Sequence, residues 1–202
     1  MVVKKTFLAL VIGLLSFGAM AQSPNDVVRA AADELEAGLE GRKEILADDR
    51  DALYELIDQI LLPRFDRRYA AKLVLGRHWR NASDEEYKEF IDAFYGSMLR
   101  KYSEGVLEFN QESLEILPFR GDDTKERVTV KTIVQLDDGT KVPVNYGVVK
   151  RDSGWLMFDV TIEGISYVRN FRTELNAEIQ TNGLQSVIDR LNGDETTAAA
   201  SE

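Results

Sequence analysis

Few side chains in this sequence could do covalent or acid–base chemistry. Asp159 and Glu163 stand four apart in an alternating stretch, so both could leave one strand face as an acid/base pair. Charged residues are mostly exposed, which favours a solvated face or a strand end for both. The lone histidine, His78, lies beside Trp79 and Arg80 just past a predicted helix end, where a surface or dipole-complementing role suits it better than catalysis. Asn81-Ala82-Ser83 fits a glycosylation sequon, but Ser83 is better placed as a helix cap. With no cysteine there is no disulfide, thiol nucleophile or thiolate metal site, and one histidine excludes a multi-histidine metal centre. HExxH, GxSxG, Walker and GxGxxG motifs are all missing. A net charge of −10 over 202 residues excludes the basic footprint of a nucleic-acid binder. No catalytic residue, metal or cofactor is expected.

The elements that would position any site begin after an address. Lys4 and Lys5 precede an apolar run from Phe7 to Phe17, and Ala19-Met20-Ala21 has the form of a signal-peptidase site. The run falls short of the roughly 20 residues of a permanent span. Residues 1–21 therefore read as a signal peptide, with a mature chain from Gln22 that is exported, soluble and unlipidated. Loss of the two lysines takes the charge from −10 to −12. A cysteine-free exported chain of this kind points to the periplasm, and its charge should keep it off anionic membrane surfaces.

One domain is expected over 22–192, helical mainly over 22–102 and 167–192 and sheet mainly over 106–163, with a disordered tail over 193–202. Ser23 and Pro24 open a first helix; a second starts after Asp49 or Asp51 and stops at Pro63, and Asp66 caps a third that ends near Gly76. Ser83 and Glu86 form a capping box for a long helix whose broad apolar face includes Phe90, Phe94 and Tyr102. Alternation then predicts strands at 106–110, 113–118, 126–136, 141–150 and 154–163, with Asp-Gly and Ser-Gly hairpin signals between the last three. The order predicts an α+β fold with a curved, mostly antiparallel sheet. In 154–163, Leu156, Phe158, Val160 and Ile162 alternate on one face, with Trp155 and Met157 on the other. Apolar residues on both faces mean a sheet partly covered on both sides, and an incompletely closed one would leave an apolar cavity.

Two blocks of sequence then carry a family resemblance. Phe65-Asp66, Val74-Leu75-Gly76, Trp79-Arg80 and Ala82-Ser83 lead into the long helix; further on, Trp155, Phe158-Asp159-Val160 and Ile162-Glu163-Gly164-Ile165-Ser166 precede Val168, Asn170 and Arg172. In this order they resemble the MlaC-type periplasmic phospholipid-binding proteins, also called toluene-tolerance auxiliary proteins. The resemblance implies an NTF2-like sheet with a small helical part, acyl chains held between them, and phospholipid as cargo. It also implies two partners, an inner-membrane ABC transporter with an MCE-domain subunit and an outer-membrane lipoprotein–porin complex, in a system that maintains outer-membrane lipid asymmetry. Tyr167 and Phe171 depart from the family pattern and would alter the pocket lining.

The lining candidates are residues whose periodicity points inward in or beside the matching blocks: Phe65, Leu73, Val74, Phe90, Phe94, Met98 and Leu99 from helices, Val130, Val144, Tyr146, Val148, Phe158, Val160 and Ile162 from strands, and Ile165 and Val168 beyond. Burial alone explains a large share of them. Arg80, Arg127, Arg169 and Arg172 are candidates for headgroup phosphate. A monomer is expected. The competing reading is an NTF2-like isomerase or dehydratase using Asp159 with Tyr146 on a small apolar substrate. A chaperone or a lipoprotein carrier would instead need an exposed apolar patch or acylated protein as cargo.

Overall fold

Each helix start obeys its local chemistry. In the computed structural model, which describes residues 23–136 and 138–198, Ser23 caps α1 (Pro24–Leu39) in a capping box with Asp26. A short α2 (Lys43–Asp48) follows, and Asp49 caps α3 (Arg50–Leu61) through the Ala52 N–H. Asp66 caps α4 (Arg67–Leu75), accepting from the Tyr69 N–H at 2.9 Å. Ser83 and Glu86 complete the box that starts α5 (Asp84–Leu107), 24 residues and about 36 Å long. Five strands follow, β1 (Leu114–Ile116), β2 (Arg127–Gln135), β3 (Lys141–Arg151), β4 (Gly154–Ile162) and β5 (Ile165–Ser166), forming one antiparallel sheet in chain order. Ser166 then caps α6 (Tyr167–Asn182), and α7 (Leu184–Ala198) closes the described chain.

The α+β architecture is the expected one, with five corrections. Residues 106–110 are not a strand, because α5 carries on: Leu99, Tyr102, Ser103 and Val106 keep the helical spacing, and the helix ends only at Leu107. α2 has a single buried residue, Leu46, and is too short to show a period. β5 is two residues long and was not anticipated. α7 is helical through Ala198, past the Gly193 at which the tail is expected to begin. Buried Val187, Ile188 and Leu191 anchor α7, and extension costs little where no proline intervenes. The segment 1–21 and residues 199–202 lie outside the described residues.

The fifth correction concerns β4. Gly147 faces Asp159 across the ladder, but Val148 faces Met157, leaving Phe158 as an unpaired bulge residue. A bulge shifts the alternation by one. Trp155 and Met157 therefore share a face with Val160 and Ile162 instead of opposing them, and both are buried.

Two apolar cores result. The sheet-side core joins Val27 and Val28 of α1 and Leu53, Ile57 and Ile60 of α3 to Val130, Val148, Trp155 and Met157. The helical core joins Val74 and Leu75 of α4, Phe90 and Phe94 of α5, Phe171 and Leu175 of α6, and Val187 and Ile188 of α7. α5 belongs to both, since Leu99, Val106 and Leu107 pack on the sheet-side core. Its start sets where the two cores meet. Ser83→Ala is expected to cost about 1 kcal/mol in urea unfolding. The hydrogen bonds from Ser83 hold the Glu86 carboxyl below its ordinary value of 4.5. A depressed carboxyl stabilises the fold above that value and loses its contribution as pH falls through the folded pKa. The gap between wild type and Ser83→Ala should therefore narrow on acidification below about 4.5.

Candidate functional site

Where the two cores meet they do not close. A cavity of about 340 Å³ lies between α5, the end of α3, the start of α4, the bulged half of β4 and the first turns of α6. That is the lower end of the range for ligand pockets. The β4 edge and α4 are fixed to each other there. The Asp66 N–H donates to the Met157 carbonyl at 2.8 Å, and the Asp66 carboxylate, besides capping α4, accepts from Arg151 Nε at 2.8 Å. This tie holds Phe65 and Arg67 at the wall.

Of the expected lining residues, Phe65, Phe94, Met98, Leu99, Phe158, Val160, Ile162 and Val168 are on the wall. Val74, Phe90, Val130 and Val148 are instead solid core with no accessible surface. Their periodicity pointed inward correctly, but inward includes both core and cavity. Leu73, Val144 and Tyr146 are half-buried away from the wall, and Ile165 is exposed beside the β4–β5 turn. Tyr146 packs on the sheet-side core, where burial pushes its phenol pKa up. The wall also holds residues not anticipated, among them Ile57, Leu61, Ala70, Ile91, Tyr95, Tyr102, Ser103 and Val106. Tyr167 and Phe171, the two departures from the family pattern, line it as well. Almost every wall residue is apolar or presents an aromatic ring.

Two polar groups on the wall, Asp159 and Tyr95, are occupied. Asp159 accepts from Ser166 Oγ at 2.6 Å and from the Val168 N–H at 3.0 Å, which fixes the start of α6. Glu163 is exposed in the β4–β5 turn at a φ of 50°, so the two carboxylates do not form a pair. Tyr95 donates its hydroxyl to Asp58, and burial with that hydrogen bond drives its pKa far above the ordinary phenol range. None of Arg80, Arg127, Arg169 and Arg172 is on the wall, and all four are exposed. Arg127 donates to the Tyr69 hydroxyl at 3.1 Å, and Arg172 lies against Gly76, where a Cβ would come within 2.8 Å of its Nε. The cation on the wall is Arg67. A sequence signal for it existed: an arginine in a helix's first turn opposes the helix dipole, so stability does not favour it there. His78 sits in the short 3₁₀ turn after α4, where burial and Arg77 lower its pKa. Among the described residues no cluster of three metal-capable side chains exists, and no helix is long and apolar enough to cross a membrane.

Gly147 allows the Phe158 ring to reach the wall. A Cβ there would lie 3.0 Å from Phe158 Cζ and 3.2 Å from Asp159 Cβ. Gly147→Ala is expected to cost about 1–3 kcal/mol through overpacking. Adding Phe158→Leu should recover part of that, and a double-mutant cycle by denaturant unfolding measures the coupling.

Residues 29–193 match the protein family described as MlaC protein. The toluene tolerance protein Ttg2D of Pseudomonas putida is 29% identical over 181 residues, covering 88% of this chain and 84% of its own. The intermembrane phospholipid transport system binding protein MlaC of Haemophilus influenzae is 22% identical over 173 residues, covering 84% of this chain and 80% of its own. A phospholipid-binding protein from Ralstonia solanacearum, solved in complex with a phospholipid, superposes with a TM-score of 0.80 at 22% identity. That alignment covers 88% of this chain and 99% of the other.

Proposed function

Because the chain belongs to the MlaC family, we propose that its cavity holds the acyl chains of a phospholipid and that the protein carries this lipid between membranes. It is a binding protein, not an enzyme, so the isomerase reading falls away; Asp159, its would-be base, is committed to starting α6. The observation that carries the proposal is the wall itself, which is apolar from α3 across α5 to β4 and α6. The physical need is large. Each methylene hidden from water is worth about 0.8 kcal/mol, so a two-chain lipid with roughly 30 of them resists crossing water by on the order of 20 kcal/mol. An apolar cavity removes that barrier with no catalytic group. Contacts of this kind discriminate chain length only weakly, by about 1–3 kcal/mol per methylene at most.

The reading extends to the setting. The chain travels the periplasm as a monomer, its net charge of −12 after loss of Lys4 and Lys5 discouraging adsorption to anionic bilayers. It docks in turn on an inner-membrane ABC transporter bearing an MCE-domain subunit and on an outer-membrane lipoprotein–porin complex, and so serves outer-membrane lipid asymmetry. Support for this comes from the name of the Haemophilus relative, a component of an intermembrane phospholipid transport system. Native mass spectrometry of the purified chain, with extraction of the lipid, tests the cargo. The expected spectrum shows the polypeptide plus one phospholipid. The bare polypeptide mass under gentle conditions would overturn the carrier, and an acylated protein in the complex would replace phospholipid by lipoprotein as cargo.

A further inference from the structure

We propose that Arg67 holds the phosphate group of the cargo at the rim of the cavity, with the tails inside and the phosphodiester paired to its guanidinium. This rests on the carrier reading. Among the described residues, Arg67 is the one cation on the wall. Its side chain lines the cavity yet remains 36% exposed, so the residue spans the boundary between the apolar interior and water. A phospholipid has the same division, with the phosphate as the first charged group beyond the tails.

The guanidinium is only loosely held, by a long ion pair and a ring contact. Its nearest carboxylate, Asp92 Oδ1, stands at 3.8 Å, beyond hydrogen-bond length, and it rests 4.9 Å from the centre of the Tyr95 ring. No hydrogen bond to it is made among the described residues. The one carboxylate on the wall does not compete, because both Asp159 oxygens already accept hydrogen bonds. The Tyr95 hydroxyl is likewise spent on Asp58. The planar, five-donor guanidinium is suited to phosphate, and the Tyr95 ring, 4.9 Å away, takes none of its donors. The phosphate is common to anionic and zwitterionic phospholipids, so the contact selects phospholipid over uncharged diacyl lipid rather than one headgroup over another.

The test compares wild type with Arg67→Met, which keeps an apolar stem of similar length on the wall and removes the charge. Both proteins are stripped of lipid and refolded. They are then loaded from mixed vesicles of phosphatidylethanolamine, phosphatidylglycerol and diacylglycerol with matched acyl chains, and the bound species are counted by native mass spectrometry. The expected result is a loss of preference for both phospholipids over diacylglycerol by about fivefold in Arg67→Met, the scale of a partly exposed ion pair. Arg67→Lys should retain part of it. Asp92→Asn, which removes the nearest competing carboxylate, should leave the preference intact or raise it. An unchanged ratio in Arg67→Met would overturn the assignment. So would an equal fall for all three lipids, or a matching fall in Asp92→Asn, either of which marks a packing role. Excess inorganic phosphate should leave the preference in place; if it erases the preference, the residue holds a free phosphate ion instead. A wild type that takes up none of the three would overturn the carrier reading itself.

Discussion

Val160→Trp is expected to abolish lipid loading and leave the fold intact. Val160 projects from β4, opposite Tyr146 in the ladder, and forms part of the cavity wall. Tryptophan adds about seven heavy atoms at that point, in the space that the acyl chains are proposed to fill. If it excludes roughly four methylenes from the cavity, the lost burial is about 3 kcal/mol, or more than a hundredfold in affinity. In a solid core the same enlargement would cost about 1–3 kcal/mol in strain. Here it fills open volume, so the lipid-free protein should unfold within about 1 kcal/mol of lipid-free wild type. The comparison must be made without lipid, because a ligand that binds only the folded chain raises the apparent stability of wild type by mass action. Native mass spectrometry reads the loading, and denaturant unfolding with far-UV circular dichroism reads the fold. A folded Val160→Trp protein that still carries phospholipid would show that the tails lie elsewhere.

The fold was legible wherever one residue controls one local event. Ser23, Asp49, Asp66 and Ser83 each accept from a backbone N–H as their types and spacing required. The site was legible only in part, for three physical reasons. Periodicity reports which side of an element faces inward, and Phe90 and Phe94 both do, although the first is fully enclosed and the second meets the cavity. Alternation fails at a bulge, so Trp155 and Met157 were assigned to the wrong face of β4 once Phe158 dropped out of the ladder. Residue type alone singles out the headgroup candidates. Arg80, Arg127, Arg169 and Arg172 have suitable side chains, but only the three-dimensional meeting of α4 with β4 sets Arg67 at the rim. The phase of α5 beyond Tyr102 is readable, since Val106 continues the stripe of Leu99, Tyr102 and Ser103, yet the alternation that begins near residue 106 suggests a strand.

The distinction between core and wall also predicts a reversal between two neighbours on α5. Phe90 is completely buried in the helical core and stacks parallel to Phe94 with ring centres 5.7 Å apart. Truncation to alanine there leaves a void enclosed on every side, and the expected cost is about 3–5 kcal/mol. That is a large share of the roughly 5–15 kcal/mol that holds a domain together. At about 2–4 °C per kcal/mol for a chain of this size, the lipid-free melting temperature should fall by about 6–20 °C. Met98, two turns further along α5, is half-buried on the wall, so one side of its thioether already lacks packing partners. Because truncation there removes fewer contacts and only widens an existing cavity, Met98→Ala should cost about 1 kcal/mol. The order inverts for cargo. Folded Phe90→Ala should keep its phospholipid at low temperature, whereas Met98→Ala should load longer or bulkier acyl chains than wild type does. Equal losses of stability in the two variants would mean that Met98 is core, and that the wall described for α5 is misplaced.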